Sequence, residues 1–301
     1  GSQAVHSCLL LLRWDVQALR RGLRHGSPLL FVLADTRSLT PEAAAQRNRE
    51  IVTNLEVALT EEGLDRSEIQ LVSRGDSTLR GHGVVEPAVL ERCFGPFAAT
   101  LHVPAFIEGG RTTVNGVHLL HGEPVHTTPF AKDRLFGFST SDLSQWLEQK
   151  SAGAICAADV VKVSLEDLDQ ASAGEMPHLI QRLAALQGNT AVVVDAEHQS
   201  QLAALAAAVL ALKGERRFLF RSAASVVKAL ADPGPQPLDP NGLARLRRRG
   251  PNGEGLPGLV MVGSHVPLAD QQLMRLLEDP RCIGLELPVR RIARVLDGGS
   301  P

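Results

Sequence analysis

The sequence has few cysteines, and no pattern joins them. Cys8, Cys93, Cys156 and Cys282 are far apart and include no C-x-x-C pair, so the usual ligand spacing of a structural zinc site is absent. Three of the four lie in or beside apolar runs. Such cysteines are typically buried, and disulfides are rare in the cytosol, so we predict reduced, buried thiols in a cytosolic protein.

Long apolar runs and a strong net charge are also missing. The leucine-rich run at residues 8–12 is far shorter than the roughly 20 residues of a membrane-spanning helix. It has neither a basic leader nor a small-residue cleavage site. The formal net charge is −2, which argues against a general nucleic-acid-binding protein. We therefore expect a cytoplasmic protein that binds neither membrane nor nucleic acid.

Two common nucleotide-binding motifs are absent as well. No G-x-G-x-x-G follows a predicted strand, and no G-x-x-x-x-G-K-[ST] occurs, so dinucleotide and Walker-type sites have no support.

The chain does contain a regular alternation of short apolar runs with longer alanine- and leucine-rich segments. The segment from Thr40 to Glu62 opens with a capping threonine and a proline at the first helical position, which predicts a helix. Strands that alternate with amphipathic helices indicate an α/β fold with a largely parallel sheet and helices on both faces. The predicted strands are residues 8–12, 29–34, 68–72, 99–103, 152–157, 190–195 and 217–221.

The amino-acid composition changes after residue 231. Residues 232–257 are rich in proline and glycine and carry a basic cluster at 245–249, which favours an interdomain linker. The basic cluster could alternatively contact an anionic ligand or membrane. A new strand is predicted at 258–262. We therefore divide the chain into an α/β domain (1–231), a linker (232–257) and the start of a second α/β domain (258–301), which is too short to fold alone and is expected to be incomplete.

Polar side chains cluster where three predicted strands end. In a parallel sheet these ends meet at one edge, where ligands bind. Arginines grip carboxylates or phosphates, and aspartate and hydroxyl groups bind sugar-type hydroxyls, so the pattern predicts a pocket for a small hydroxylated anion. Alternatively, the aspartate and serines cap a helix and the arginines form surface pairs. The candidate residues are Asp35, Arg37, Arg74, Asp76, Ser77, Thr78, Arg80, Arg111, Thr112, Thr113 and Asn115.

Four segments resemble the four-carbon acid sugar kinase family: SRGDSTLRGHGVVEP, PAFIEGGRTTVNGVHLLHGEPVHTTPFAKD, ADTRSL and VMVGSHVPLADQQL. The pattern x-D-S-T-x-R-G-x-x-x-x-E matches from Asp76 to Glu86, and P-A-F-x-x-x-G-R-T-T-x-N-G matches from Pro104 to Gly116. The resemblance covers nearly the whole chain. It implies an ATP-dependent kinase whose first domain binds a sugar acid and whose second domain binds ATP with Mg²⁺.

The resemblance also implies roles for individual residues. The substrate site comprises the strand-end residues named above, and the turn Gly263, Ser264 and His265 lies at the nucleotide. Asp76 is the remaining candidate for a catalytic base. A homo-oligomer is also expected.

Two family motifs are absent between residues 1 and 301: the acidic D-D-x-T-G turn and the glycine-rich G-G-D-T segment. Because phosphoryl transfer needs a carboxylate and a positioned nucleotide, we expect this polypeptide to bind a sugar acid without transferring phosphate. Two hypotheses remain: a sugar-acid kinase represented by an incomplete chain, and a non-catalytic relative that retains the sugar-acid pocket.

Two further patterns receive structural interpretations. The tripeptide RGD at 74–76 spells an adhesion motif but lies inside the longer sugar-acid pattern. His118, His121 and His126 suggest a metal site, but strand residues three apart face opposite sides. We predict a β-hairpin around Gly122–Pro124 instead.

Overall fold

The computed structural model describes residues 9–232, 239–263 and 267–298. Spatial contacts divide the chain into two units, residues 1–237 and 238–301. The described part of the first unit runs in order through β1 (Leu9–Leu11), α1 (Val16–Leu23), β2 (Leu30–Val32), α2 (Pro41–Glu62), β3 (Val72–Arg74), α3 (Val85–Phe94), β4 (Ala99–Val103), β5 (Arg111–Val114), β6 (Val117–Leu120), β7 (Glu123–Pro124), α4 (Leu143–Lys150), β8 (Val161–Val163), α5 (Leu165–Gln170), α6 (Met176–Ala184), β9 (Thr190–Val194), α7 (Gln199–Ala211), β10 (Phe218–Ser222) and α8 (Ser225–Ala231).

Five of these strands form a wholly parallel sheet in the order β3-β10-β4-β9-β8. A separate parallel pair joins β1 to β2, and β5, β6 and β7 form a small antiparallel sheet. The predicted α/β class is therefore confirmed, as is the hairpin around Gly122–Pro124.

Helices cover the main sheet on both faces and therefore bury its central strands on both sides. All five residues of β4 and all five of β10 are buried, as expected for strands of a parallel sheet. Leu101 and Phe220 pack into a core cluster with α5, α6, α7 and α8. The opposite side packs on α1, α2 and α3 through Leu219, and on α4 through Val193.

The helix predicted after Thr40 forms as expected. The Thr40 hydroxyl accepts a hydrogen bond from the Ala43 N–H, and Pro41 occupies the first turn. The helix ends at Gly63, whose φ of 69° is the left-handed conformation that glycine adopts without steric cost.

Two strand predictions in the first unit are wrong in position. Residues 152–157 form a turn in which Ala152 and Gly153 have positive φ and the Gly153 N–H bonds the Glu148 carbonyl after α4. The edge strand is β8 instead, which pairs with β9. The strand predicted at 68–72 begins only at Val72, because Arg66–Glu68 forms a 3-10 turn.

The second unit contains α9 (Pro240–Arg245), α10 (Pro267–Leu277) and α11 (Val289–Leu296) in its described residues. The strand predicted at 258–262 is wrong. These residues form no ladder within the described chain, and Leu259 and Met261 are 86% and 78% exposed. An apolar run forms a strand only where a neighbouring strand takes up its backbone hydrogen bonds.

The three cysteines among the described residues are free but not buried. Cys93 and Cys282 are partly exposed and Cys156 is exposed, which corrects the prediction of buried thiols; Cys8 lies outside the described residues. Within those residues, no helix is long and apolar enough to cross a membrane.

Candidate functional site

The candidate site forms where β3, β10 and β4 end at the same edge of the main sheet. The loop after β3, residues 75–83, begins with a hydrogen bond from the Gly75 N–H to the Ser222 carbonyl at 2.7 Å. Leu79 and Gly81 have φ values of 64° and 98°, so the loop turns sharply. This turn brings the side chains of Asp76 and Arg80 into contact.

Asp76 is the centre of the cluster. Its carboxylate accepts hydrogen bonds from the Thr78 hydroxyl and from Arg80 Nε, the latter at 3.0 Å. Arg37 Nη2 lies 3.0 Å from the other carboxylate oxygen. Burial alone would raise the pKa of Asp76, but the Thr78 hydrogen bond and the charges of Arg80 and Arg37 hold it below its usual value. Asp76 is therefore a firmly ionised anchor.

Two further arginines lie near Asp76 with unused donors. Arg74 has no hydrogen-bond partner for its guanidinium among the described residues. Arg111 donates from Nη1 to the Gly109 carbonyl at 2.6 Å, but its buried Nε has no partner in the described chain. Partial burial lowers the pKa of both groups, and Asp76 acts on both in the opposite direction. Arg74 is exposed, so its guanidinium is available to an anionic ligand, whereas Arg111 Nε is enclosed by the protein.

A buried ion pair supports the floor of the site. Arg221 Nη1 bonds the Glu86 carboxylate and also Ser73 Oγ, the latter at 2.8 Å, and the Thr36 hydroxyl bonds the other oxygen of Glu86. The Arg221 and Glu86 side chains are each only 9% exposed. A Cβ at Gly75 would lie 2.8 Å from the Arg221 guanidinium carbon, so glycine lets this side chain pass beneath the loop.

The polar segment after β7 forms one wall. The Phe130 ring lies 4.7 Å from the Arg80 guanidinium carbon, which is a cation–π contact. The Asp133 carboxylate interacts electrostatically with Arg80 and Arg37.

His82 Nε2 lies 3.1 Å from the Thr36 carbonyl and 3.0 Å from the Leu39 carbonyl. It therefore donates to both and ties the loop after β2 to the site.

The other predicted site residues have different partners. The Thr113 side chain is fully buried and donates to His118 Nδ1 at 3.0 Å. Asn115 occupies the β5–β6 turn, where its N–H bonds Asp195 at 2.8 Å. The carbonyl of Ser77 accepts from His118 Nε2 at 2.7 Å. These contacts lie within the protein and are therefore structural.

Two remaining predicted residues are also held by the fold. Asp35 has a φ of 46°, and its carbonyl accepts a hydrogen bond from Arg47 at 3.1 Å. Thr112 lies in β5 and is partly buried.

Sequence reasoning missed Arg221 and Phe130 as members of the site. Arg221 had a signal, because it is a charged residue inside an otherwise apolar strand, and an isolated charge there needs a buried partner. Glu86 belonged to the recognised pattern but received no role. Phe130 had no signal, because only the tertiary structure places it on Arg80.

The turn predicted to bind nucleotide is largely outside the described residues. Gly263 is exposed, and Ser264 and His265 lie in the gap that follows it. No group of three His, Cys, Asp or Glu side chains suited to a metal ion occurs within 9–232, 239–263 and 267–298.

His118 gives the first unit a predictable pH dependence. Burial lowers its pKa to about 4, whereas a histidine in an unfolded chain titrates near about 6.5. Between these values the unfolded chain binds a proton that the folded chain does not. The free energy of unfolding should therefore fall with decreasing pH, by about 1.4 kcal/mol per pH unit for this group.

Urea unfolding of the chain at several pH values measures this slope. His118→Gln should reduce the slope between about pH 6 and 4.5, whereas His178→Gln, at an exposed position on α6, should not change it. An unaltered slope in His118→Gln would contradict the assignment.

Gly83 is expected to tolerate no side chain. A Cβ there would lie 2.3 Å from Trp146 Cη2 in the core between the loop and α4. Gly83→Ala should lower the free energy of unfolding by about 1–3 kcal/mol, because overpacking forces the indole to move. Gly258→Ala, where nothing lies within 4 Å, is the matched control. Equal stability of both variants in thermal melts would show that the indole moves freely.

Comparison with known proteins gives a consistent set of relatives. A profile of the family described as sugar-binding N-terminal domain matches residues 1–230. A D-threonate kinase of Cupriavidus necator is 30% identical over 263 residues, covering 85% of this chain and 55% of that protein. A D-erythronate kinase of Heliobacterium modesticaldum is 28% identical, covering 81% and 49%. The chain thus spans about half the length of these curated relatives.

Solved structures share the fold. A protein of Bordetella bronchiseptica, described as a domain of unknown function with bound citrate in a domain-swapped dimer, superposes with a TM-score of 0.58 at 26% identity. The match covers 75% of this chain and 51% of that one. A Haemophilus influenzae protein superposes with a TM-score of 0.51 at 20% identity, covering 67% and 45%.

Proposed function

Because this chain belongs to the four-carbon acid sugar kinase family, we propose that its cluster around Asp76 binds a four-carbon sugar acid and that the whole protein phosphorylates one hydroxyl of that acid with ATP. The supporting observation is the excess of positive charge around Asp76. Few carboxylates balance the guanidinium groups there, so the site favours an anion. The arginines are Arg37, Arg74, Arg80, Arg111 and Arg221, and the carboxylates are Asp76, Glu86 and Asp133.

The unused donors of Arg74 and Arg111 suit the carboxylate of the sugar acid, because a guanidinium matches a carboxylate with two parallel hydrogen bonds. The citrate bound to the Bordetella bronchiseptica relative is consistent with a carboxylate-binding site in this fold. The names of the two kinase relatives indicate the four-carbon sugar acids as substrates.

Asp76, Thr78 and Arg80 suit the hydroxyls of the ligand. The Asp76 carboxylate accepts hydrogen bonds, and the Thr78 hydroxyl both donates and accepts. Asp76 is a weak candidate for a catalytic base, because the hydrogen bonds and charges that lower its pKa also make it a poor proton acceptor. We therefore propose that it orients the sugar acid.

ATP and Mg²⁺ belong to the proposal through the family alone. When bound, they would supply the phosphoryl group and neutralise its charge. The described residues contain no carboxylate cluster that fits Mg²⁺, and Ser264 and His265 lie outside them, so we assign no step to either group. The role of this part of the chain is to bind and orient the acceptor.

A second candidate function is sugar-acid binding without phosphoryl transfer. The observation that favours it is the full engagement of Asp76 by Thr78, Arg80 and Arg37, which suits a binding group better than a base.

In either case we propose a cytoplasmic protein that forms homo-oligomers, in keeping with the domain-swapped dimers of the Bordetella bronchiseptica relative.

Calorimetry and a coupled ADP-release assay test the proposal. Residues 1–301 should bind D-threonate or D-erythronate without turnover, whereas a chain extended at both ends to the length of its relatives should release ADP. Binding by both chains with turnover by neither would favour the non-catalytic function. Absence of binding by either chain would overturn the proposal.

A further inference from the structure

A row of paired residues crosses one face of the main sheet just before the strands end. Ser73 of β3 pairs with Arg221 of β10, Arg221 pairs with His102 of β4, and His102 pairs with Val193 of β9. Paired residues on neighbouring strands of a sheet point to the same face. His102 therefore lies beside the Arg221 side chain that supports the site.

His102 differs from the other buried histidines because its ring has no partner. The residue is 6% exposed, and its ring nitrogens make no hydrogen bond within the described chain, whereas His82 and His118 bond backbone carbonyls. Burial, and secondarily the charge of Arg221, lower the pKa of His102 to about 3. The ring is therefore neutral, with one donor and one acceptor nitrogen.

The unpartnered ring lines a small cavity next to the sugar-acid site. Asp76, Arg80, Trp146 and Leu147 line the same cavity. Its volume of about 30 Å³ holds one group of the size of a water molecule or a hydroxyl. The His102 ring nitrogens have no partner in the described chain and are not among its fully enclosed polar atoms. Their hydrogen-bonding capacity is therefore open to a group that enters this cavity.

We propose that His102 is a specificity-determining residue that hydrogen-bonds one hydroxyl of the sugar acid inside this cavity. A hydroxyl both donates and accepts, which matches the two nitrogens of a neutral imidazole. A carboxylate only accepts, and the guanidinium groups of Arg74 and Arg111 suit it better. The proposal rests on the proposed sugar-acid binding and adds the residue that distinguishes a hydroxylated acid from its deoxy analogue.

Calorimetry on the full 301-residue chain tests this assignment. The ligand is D-threonate or D-erythronate, whichever the wild-type chain binds more tightly, together with the three analogues that each lack one of its hydroxyls. His102→Leu should weaken binding of the parent acid about 3- to 10-fold, which corresponds to one neutral hydrogen bond. One deoxy analogue should bind the wild-type chain and His102→Leu equally well. His102→Gln, which retains a donor and an acceptor, should recover part of the affinity.

Controls separate this result from a general loss of structure. His102→Leu should fold at least as stably as the wild type, because it removes a buried polar group without a partner; circular dichroism checks this. His178→Gln on α6 should bind all four ligands like the wild type. Equal losses of affinity for all four ligands, or no loss, would overturn the role of His102 while leaving sugar-acid binding intact. Absence of binding by the wild-type chain would overturn the proposed function and this inference together.

Discussion

Arg221→Met is expected to lower the free energy of unfolding of the first unit by about 3–5 kcal/mol, because it leaves the buried Glu86 carboxylate without its partner. Both side chains are 9% exposed, so water cannot replace the lost contact. The change also removes the hydrogen bond to Ser73. This pair is the most deeply buried ion pair among the described residues.

The double variant distinguishes an unpaired charge from a poorly packed side chain. Glu86→Leu combined with Arg221→Met removes both charges, so it should be less destabilised than the sum of the single variants. Arg13→Met is the matched control, because Arg13 is 84% exposed and pairs with Asp15 at 3.3 Å; it should cost less than about 1 kcal/mol. Urea unfolding measures the wild type, the two single variants, the double variant and Arg13→Met. Additive effects in the double variant would contradict a coupled pair.

Arg80→Ala is expected to weaken sugar-acid binding by about 2–5 kcal/mol, or about 30- to 5,000-fold, as is typical when one partner of a desolvated charge pair is removed. Arg80 contributes its own charge and also holds Asp76 in place through the 3.0 Å hydrogen bond. Its position depends in turn on the ring of Phe130, 4.7 Å away. The ligand therefore loses a contact, and the anchor residue loses its orientation.

Arg80→Lys should also bind weakly, because lysine keeps the charge but lacks the planar guanidinium whose Nε bonds the Asp76 carboxylate. Arg92→Ala, at an exposed position on α3, is the control and should bind like the wild type. Calorimetry with D-threonate and D-erythronate gives the affinities. Wild-type affinity in Arg80→Ala would remove Arg80 from the site.

The local sequence was sufficient wherever short-range chemistry decides the structure. The capped helix from Thr40 to Gly63, the hairpin around Gly122 and the apolar strands β4 and β9 all form as predicted. A capping hydroxyl, a glycine at positive φ and a run of β-branched residues act within a few neighbours. Residues 152–157 and 258–262 are also apolar, but no strand in the described part of the chain pairs with them, and pairing is a property of the whole sheet.

The candidate site likewise combines features that the local sequence predicts with contacts that only the whole fold creates. Sequence alone was enough to predict that Asp76, Thr78 and Arg80 lie on one loop after a strand, because these residues are close together in the chain. It could not determine that Arg221 pairs with Glu86, since 135 positions separate them. Only the parallel pairing of β3, β10 and β4 brings Ser73, Arg221 and His102 into one row, because register depends on how distant strands bury their side chains together.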